Sequence, residues 1–302
     1  MTQKVAIVPP GFPDLEAAVT SAGASLVEPG EAEVLIWLGG DAEILADAVR
    51  AAPDLRWIQL PSAGIERYSA AVDTEHVWAC AKGAFGPVVG ELGVAMILAA
   101  SRHIHQFARA KSWERWEGRT LRGTTALFVG GGGIAQSMIT MLEPFGVRSY
   151  VVRRHAREVP GADIVAGNER LNELIPEADW VVVAVPLTDE TEGMFDAKRL
   201  SLMKKDAWII NLARGKHIVT DDLVEAIRTG TIAGAALDVT DPEPLPDGHA
   251  LWDMENVIIT PHAGGAGPQS WMPHLAERVL DNLKRDQEGK PLAGLIDPAL
   301  GY

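Results

Sequence analysis

The chain reads as short apolar runs separated by stretches of helical spacing. In its first third, Lys4–Val8, Ser25–Val27, Val34–Leu38, Trp57–Leu60 and Val77–Ala81 have the length and apolarity of buried strands. Asp14–Ser21 and Asp41–Ala51 between them carry helical spacing, with Asp14 and Asp41 placed as N-caps. Pro9-Pro10-Gly11, Gly39-Gly40 and Pro61-Ser62-Ala63-Gly64 end runs as turn signals. Strands alternating with helices predict a parallel sheet.

Val88–Arg109 is the longest helical stretch, apolar on most sides in its first half through Leu92, Val94, Ala95, Met96, Ile97 and Leu98. A helix apolar all round is buried between domains or between subunits, so this one is the expected dimer element. The Arg-rich stretch around Trp113 and Trp116, ending at Gly123, reads as a crossing into a second domain. Thr125–Val129 then opens a second alternating series. Ser149–Val152, Trp180–Val185, Ala207–Asn211, Ala233–Asp238 and Val257–Thr260 are its further strands, and helices follow the glycine turn to about Leu142 and at Asp221–Thr229. Leu275–Lys284 reads as a closing helix. The expected fold is α/β, with two Rossmann-like domains built on parallel sheets. A flavodoxin-like domain takes residues 1–93 and, where the chain re-enters it, 275–302. A dinucleotide-binding domain takes 94–274.

A length of 302 residues fits two domains. The net charge of −14 argues against a nucleic-acid binder, which needs a basic face, and against an anionic membrane surface. One cysteine, Cys80, excludes an intrachain disulfide and a cysteine metal cage. No apolar run approaches the ~18 residues that span a bilayer. MTQKVAIVPP lacks the apolar stretch of a signal peptide. The expected location is the cytoplasm.

Val129-Gly130-Gly131-Gly132-Gly133-Ile134-Ala135 follows a strand and opens a helix. Gly130, Gly132 and Ala135 fit G-x-G-x-x-G/A: a tight turn, close backbone approach to a pyrophosphate, and close helix–strand packing. The amides that begin the helix, at Gly133 and Ile134, face the phosphate charge. An acidic residue about 20 positions on would bond the ribose hydroxyls of NAD. Here the next strand ends in Arg153-Arg154, within Arg153-Arg154-His155-Ala156-Arg157, and no carboxylate stands at the turn. Guanidinium groups suit a 2′-phosphate. The expected cofactor is therefore NADP(H), with NAD(H) second.

Three more strand ends carry polar residues: Asn211–Gly215, Leu237-Asp238-Val239 with Asp241-Pro242-Glu243-Pro244, and Thr260-Pro261-His262-Ala263-Gly264-Gly265. Ligands bind at the carboxyl ends of strands in open parallel sheets. With Pro186-Leu187-Thr188, Leu202-Met203-Lys204, Ser62-Ala63-Gly64 and Val89-Gly90-Glu91, these ordered motifs resemble the D-isomer-specific 2-hydroxyacid dehydrogenases along most of the chain. The paired arginines and the short length look most like the glyoxylate/hydroxypyruvate reductase branch.

The resemblance implies an active site in an interdomain cleft and a homodimer, with a small 2-keto acid reduced to a D-2-hydroxy acid. It assigns His262 as acid/base, Glu243 as its orienting partner and Arg214 as the substrate-binding cation. An imidazole gives and takes a proton near neutrality, a nearby carboxylate favours the imidazolium, and a guanidinium pairs with a carboxylate and polarises a carbonyl. It places Asp238 near the nicotinamide carboxamide. Val185, Pro186, Thr191, Leu212 and Ala213 fall beside the cofactor, and backbone amides of Ser62, Ala63 and Gly64 fall on the substrate carboxylate.

Departures from the family pattern are Ala135 at the third glycine and Lys216–Thr220, where an acidic residue is common; Thr220 is read as keeping the helix cap. Trp37, Trp252 and Trp271 are candidates for shaping the substrate pocket. Trp271 is also a candidate for reaching a neighbouring active site. His103, His105, His155, His249 and His274 show no ligand spacing, so no metal is expected. Two other functions remain open on this fold: a dinucleotide-sensing, corepressor-like regulator, and an NAD-dependent dehydrogenase of another small acid such as formate or phosphite.

Overall fold

The computed structural model describes residues 2–298 apart from 114 and 116. The chain divides into two compact units, Met1–Phe85 with Ala266–Tyr302, and Gly86–Gly265.

The first unit holds β1 (Lys4–Val8), β2 (Ser25–Leu26), β3 (Val34–Trp37), β4 (Trp57–Gln59) and β5 (Val77–Ala79). They pair in parallel in the order β2-β1-β3-β4-β5, the flavodoxin-like winding. Alternate residues of a strand face opposite sides, and both sides here are covered. Val5, Ile7, Val34 and Ile36 pack with Leu15 and Val19 of helix Pro13–Ser21 and with Leu275, Val279 and Leu283 of helix Pro268–Gln287. Leu35, Trp37 and Ile58 pack with Leu45 and Val49 of helix Ala42–Arg50.

Asp41 caps that last helix, its carboxylate accepting from the amides of Glu43 and Ile44 at 3.2 Å each. Asp14 does not cap its helix. Pro13 takes the first helical position and Phe12 the cap position, without a side-chain bond. Asp14 lies inside the first turn, where its charge still suits the helix dipole.

Helix Pro268–Gln287 begins before the expected Leu275 and carries Pro273 in its interior. Near its other end, Asp286 ties it to the sheet. The carboxylate accepts from Arg56 Nη1 and Nη2 at 3.1 and 2.7 Å, from Trp57 Nε1 at 3.2 Å and from Gln3 Nε2. Burial pushes this carboxyl up, but the hydrogen bonds and charge of Arg56, with Gln3 and Trp57, outweigh it and hold it below the usual carboxylate range. A depressed carboxylate stabilises the fold above its unfolded value, near 4, and that stability is lost as pH falls through the depressed value. Asp286→Ala is expected to lower unfolding free energy by about 2 kcal/mol at pH 7, since three side chains lose a charged acceptor. Urea unfolding at pH 7 and in the acid range measures it. An unchanged midpoint at pH 7 would contradict the anchoring role.

The second unit holds β6 (Thr125–Val129), β7 (Arg148–Val152), β8 (Ile164–Ala166), β9 (Trp180–Val183), β10 (Trp208–Asn211), β11 (Gly234–Leu237) and β12 (Val257–Ile259). All pair in parallel, in the order β12-β11-β10-β9-β6-β7-β8. The chain winds outward from β6 through β7 and β8, then returns to start again at β9. The direction of winding thus reverses between β6 and β9, which opens a crevice beyond their carboxyl ends. Buried apolar residues line both faces, which is why these strands read as unbroken apolar runs.

The long helix spans Gly86–Ser101, not Val88–Arg109. His103 follows in the left-handed region (φ 54°), and a short helix, Ile104–Phe107, comes after it. A methyl group at Gly86 would lie 2.6 Å from the Gly133 carbonyl carbon, so the helix lies directly on the turn-and-helix that starts there. The whole helix therefore belongs to the second unit, and the chain divides at 85/86 instead of 93/94. The other division falls at 265/266 instead of 274/275, because helix Pro268–Gln287 stays with the first unit unbroken. Trp113 is 94% exposed, and Trp116 lies outside the described residues. Among the described residues, no helix is long and apolar enough to cross a membrane.

Candidate active site

The glycine turn sits at the carboxyl end of β6, on the winding reversal. Gly130 has φ 110°, and a Cβ there would lie 2.2 Å from the Ala184 carbonyl oxygen, so only glycine fits. Its amide donates to Val152 O at 2.8 Å. Gly132 occupies the cap position of helix Gly133–Leu142, and a Cβ there would meet nothing within 4 Å. This glycine borders open space at a ten-residue helix's N-terminus, the cradle a pyrophosphate needs. Ala135 is fully buried against the sheet, with Phe128 and Val151 in the same cluster. Ile134 lies in the first turn of the same helix.

Arg153 and Arg154 follow β7, the next strand out. Arg153 is half-buried, its Cδ 3.2 Å from where a Cβ of Gly131 would stand. Arg154 is exposed and pairs with Glu190 at 3.8 Å. Glu190 belongs to the segment after β9, residues 184–191, which forms the facing side of the crevice. There Thr191 Oγ1 donates to Pro186 O at 2.8 Å and accepts from the Thr188 amide at 2.8 Å, closing the segment on itself. Val185 stands beside Gly130: a Cβ there would lie 3.1 Å from its side chain.

At the end of β10, Asn211 holds the next loop from inside. Its Nδ2 donates to Arg214 O at 2.8 Å, and its Oδ1 accepts from the Ala213 amide at 3.1 Å. Leu212 and Ala213 are buried, and Arg214 is half-buried with Nη1 donating to Ala213 O at 2.7 Å. Gly215 meets the loop that follows β11: a Cβ there would lie 1.9 Å from Thr240 O and 2.5 Å from the Asp241 amide nitrogen. Thr220 does not cap the next helix. Val219 holds the cap position, and Thr220 Oγ1 donates instead to Asp241 O at 2.7 Å. The threonine thus ties the β10 loop to the β11 loop.

His262 lies after β12 with φ 52°, a conformation uncommon for a residue other than glycine. Its amide donates to Asp238 O at 2.8 Å and Thr260 O at 2.9 Å. Asp238 is buried, and its carboxylate accepts from Thr260 Oγ1 at 2.6 Å, Ala263 N at 2.7 Å and Gly264 N at 3.0 Å. One buried acid therefore fixes both sides of the His262 loop. That explains how a strained histidine keeps its place. His262 Nδ1 meets Glu243 Oε1 at 2.7 Å, with both side chains about half exposed. Glu243 Oε2 also accepts from the Thr240 amide at 3.4 Å. The carboxylate fixes the tautomer and leaves Nε2 as the ring nitrogen available to a ligand.

The remaining candidates are dispersed. Ser62, Ala63 and Gly64 follow β4 in the first unit, with Ser62 Oγ donating to Gly64 O at 2.6 Å. Trp37 is core, 1% exposed. Trp271 packs edge-on to Phe85, with centroids 5.9 Å apart. Trp252 is 44% exposed, and its Nε1 donates to Pro246 O at 3.0 Å. Among the described residues, no group of three His, Cys, Asp or Glu side chains could hold a metal ion.

Residues 94–264 match the model of the D-isomer specific 2-hydroxyacid dehydrogenase, NAD binding domain. The chain belongs to this family. These dehydrogenases are oxidoreductases that use NAD(P), and the turn, helix and flanking strand ends described above fit a nicotinamide dinucleotide. An uncharacterised protein of the proB 3′ region in Corynebacterium melassecola is 36% identical over 295 residues, 95% of each chain. Glyoxylate reductase of Pyrococcus horikoshii is 36% identical over 211 residues, 65% of this chain and 63% of its own length. A family member from Xanthobacter autotrophicus Py2, solved with NADPH and MES, superposes with a TM-score of 0.83 at 25% identity over 100% of both chains.

Several residues at this dehydrogenase site carried no role in the sequence. Asn211 and Thr260 orient loops from inside, and nothing in their spacing reveals that. His217 is fully buried, with both ring nitrogens 3.0 Å from backbone oxygens. A histidine inside Ile218-Val219's apolar neighbourhood, two residues after a required glycine, was the available signal.

Proposed function

We propose that this protein uses NADPH to reduce a small 2-keto acid, of the glyoxylate or hydroxypyruvate kind, to a D-2-hydroxy acid. The observation that carries the reading is the His262–Glu243 pair at 2.7 Å, at the carboxyl ends of the same parallel strands that carry the glycine turn and Arg214. In this reading Gly86–Gly265 is the dinucleotide-binding domain and the other unit the substrate domain.

The bound nicotinamide supplies the hydride. Gly130, Gly132, Gly133 and Ile134 hold the pyrophosphate, with Val185, Pro186, Thr191, Leu212, Ala213 and Asp238 lining the rest of the dinucleotide site. Arg214 pairs with the substrate carboxylate and polarises the ketone, so negative charge building on its oxygen meets a fixed cation. His262 delivers a proton from Nε2 to that oxygen, while Glu243 holds Nδ1 and keeps the ring oriented. Ser62, Ala63 and Gly64 add backbone donors to the substrate carboxylate. The relative of known activity, a glyoxylate reductase, supports the substrate class. The NADPH in the Xanthobacter structure supports the cofactor.

Arg153 and Arg154 are assigned to the 2′-phosphate. Replacing both by Ala is expected to lower kcat/KM for NADPH by about 100-fold, two charge-assisted bonds' worth, and for NADH by less than about threefold. An equal change with both cofactors would remove that assignment.

The proposed assembly is a cytoplasmic homodimer. Val88, Leu92 and Leu98 of the long helix are only half-buried, and Ile104 and Phe107 after it are exposed, an apolar surface suited to a second copy. Light scattering on the purified chain reads its mass directly. The functional reading is tested by absorbance at 340 nm with NADPH or NADH and a panel of glyoxylate, hydroxypyruvate, pyruvate and phenylpyruvate. Faster loss of NADPH with one of the first two is the expected result. Dinucleotide binding without turnover on any keto acid would overturn it.

A further inference from the structure

We infer that His217 is a positioning residue for the dinucleotide, wedged between the two ends of residues 185–191 and the loop that carries Arg214. Its imidazole is fully buried, yet both nitrogens reach polar partners. Nδ1 lies 3.0 Å from Thr191 O and Nε2 lies 3.0 Å from Val185 O. Those two carbonyls bound the segment that faces the glycine turn. The segment is also tied near its second end, where Glu190 pairs with Arg154, and just beyond, where Gly193 N donates to Lys216 O at 2.8 Å. His217 itself lies on the turn Gly215–His217, directly after Arg214. One ring therefore spans the wall beside the dinucleotide and the loop of the substrate-binding cation.

A carbonyl oxygen only accepts, so each contact is a hydrogen bond only while that nitrogen carries a proton. Burial, with the charge of Arg214, pushes the His217 imidazole down from its ordinary value, against the two carbonyls that raise it. The neutral ring donates to one end of the segment at a time and packs against the other. The clamp is thus a tautomeric choice between Val185 and Thr191, with the ring filling the space between them. An aliphatic residue would fill the space and bond neither carbonyl, leaving buried acceptors unsatisfied.

The inference rests on the dinucleotide reading, but its readout is binding and not turnover. Three variants separate the contacts: His217→Asn, whose amide nitrogen falls near Nδ1; His217→Gln, whose amide nitrogen falls near Nε2; and His217→Leu. Dissociation constants for NADPH and NADH are measured by protein fluorescence, with kcat, both KM values and thermal midpoints beside them. The expected result is a Kd for dinucleotide raised about tenfold in His217→Leu, with KM for cofactor rising alongside it. One of the two amides is expected to hold Kd within about threefold of wild type, because it keeps the bond that matters.

An unchanged Kd in folded His217→Leu would overturn the inference. So would a weakened Kd that neither amide restores, which would mean packing alone. If His217→Leu does not fold, the amides decide. One near wild type and the other weakened supports the clamp; both unchanged, or both equally weakened, overturns it. Wild-type protein that binds dinucleotide but reduces no keto acid would overturn the proposed reaction and leave this test standing.

Discussion

His262→Gln is expected to lower kcat for keto-acid reduction by about 10³-fold, within the 10²–10⁴ that a positioned general acid contributes. The glutamine amide does not release a proton in this range, so the developing alkoxide must take one from water. Dinucleotide binding should stay within about threefold, because the partner of the His262 side chain is Glu243 and not a residue of the glycine turn or of 185–191. The pairing also sets a second expectation. Glu243→Gln keeps a hydrogen-bonding group opposite Nδ1 but removes the charge, so its loss should be smaller than that of His262→Gln. Steady-state rates at saturating cofactor and a fluorescence Kd measure the two effects separately. A His262→Gln enzyme with wild-type kcat would remove the acid role and, with it, the explanation for the Glu243 contact.

Gly215→Ala is the second large effect. A methyl group at this position would stand 1.9 Å from Thr240 O and 2.5 Å from the Asp241 amide nitrogen. Both neighbours are backbone, so no side-chain rotation relieves the overlap. The β10 loop must then move away from the β11 loop. Asn211 clamps the first loop at Ala213 and Arg214, and Thr220 ties the far side to Asp241 O. Arg214 and Glu243 therefore shift relative to each other. An overlap of this kind is expected to lower unfolding free energy by about 3 kcal/mol. A displacement of about 1 Å at reacting groups is expected to lower kcat/KM for keto acid by about 100-fold. Urea unfolding and steady-state kinetics read the two losses. A soluble variant with wild-type stability and wild-type kcat/KM would show that the two loops do not need this approach.

The central elements of the fold were legible because the parallel strands are buried on both faces. β9 reads as an unbroken apolar run, β6, β7 and β10 as apolar runs with polar residues only at one end, and helix Ala42–Arg50 announces itself through Asp41. The misses have local causes. β8 is three residues at the sheet edge, two of them half-buried, and its apolar pattern is too short to separate from a loop. Helix Pro268–Gln287 extends past both ends of Leu275–Lys284 and takes Pro273 into its second turn, where it removes one helical bond from a long helix. Asp14 and Thr220 both carry cap chemistry, yet each lies inside its helix: Phe12 takes the cap position ahead of Pro13, and Val219 takes it ahead of Thr220.

At the site, the residues proposed for the chemistry stand at strand ends in ordered motifs, and the fold brings His262 and Glu243 together from separate loops. What stayed illegible is the set of groups that hold those residues still. The Asp238 carboxylate bonds Thr260, Ala263 and Gly264, a support that no spacing announces. His217 reaches Val185 and Thr191, more than two dozen residues earlier, through a contact that only the folded sheet creates. Sequence spacing records local geometry; these supports are long-range.

A single turnover of the wild-type protein with NADPH and hydroxypyruvate, followed at 340 nm and by chiral chromatography of the product, tests the proposed reaction. One D-glycerate is expected for each NADPH oxidised. Bound NADPH that is not oxidised, or a product of the opposite hand, would contradict it.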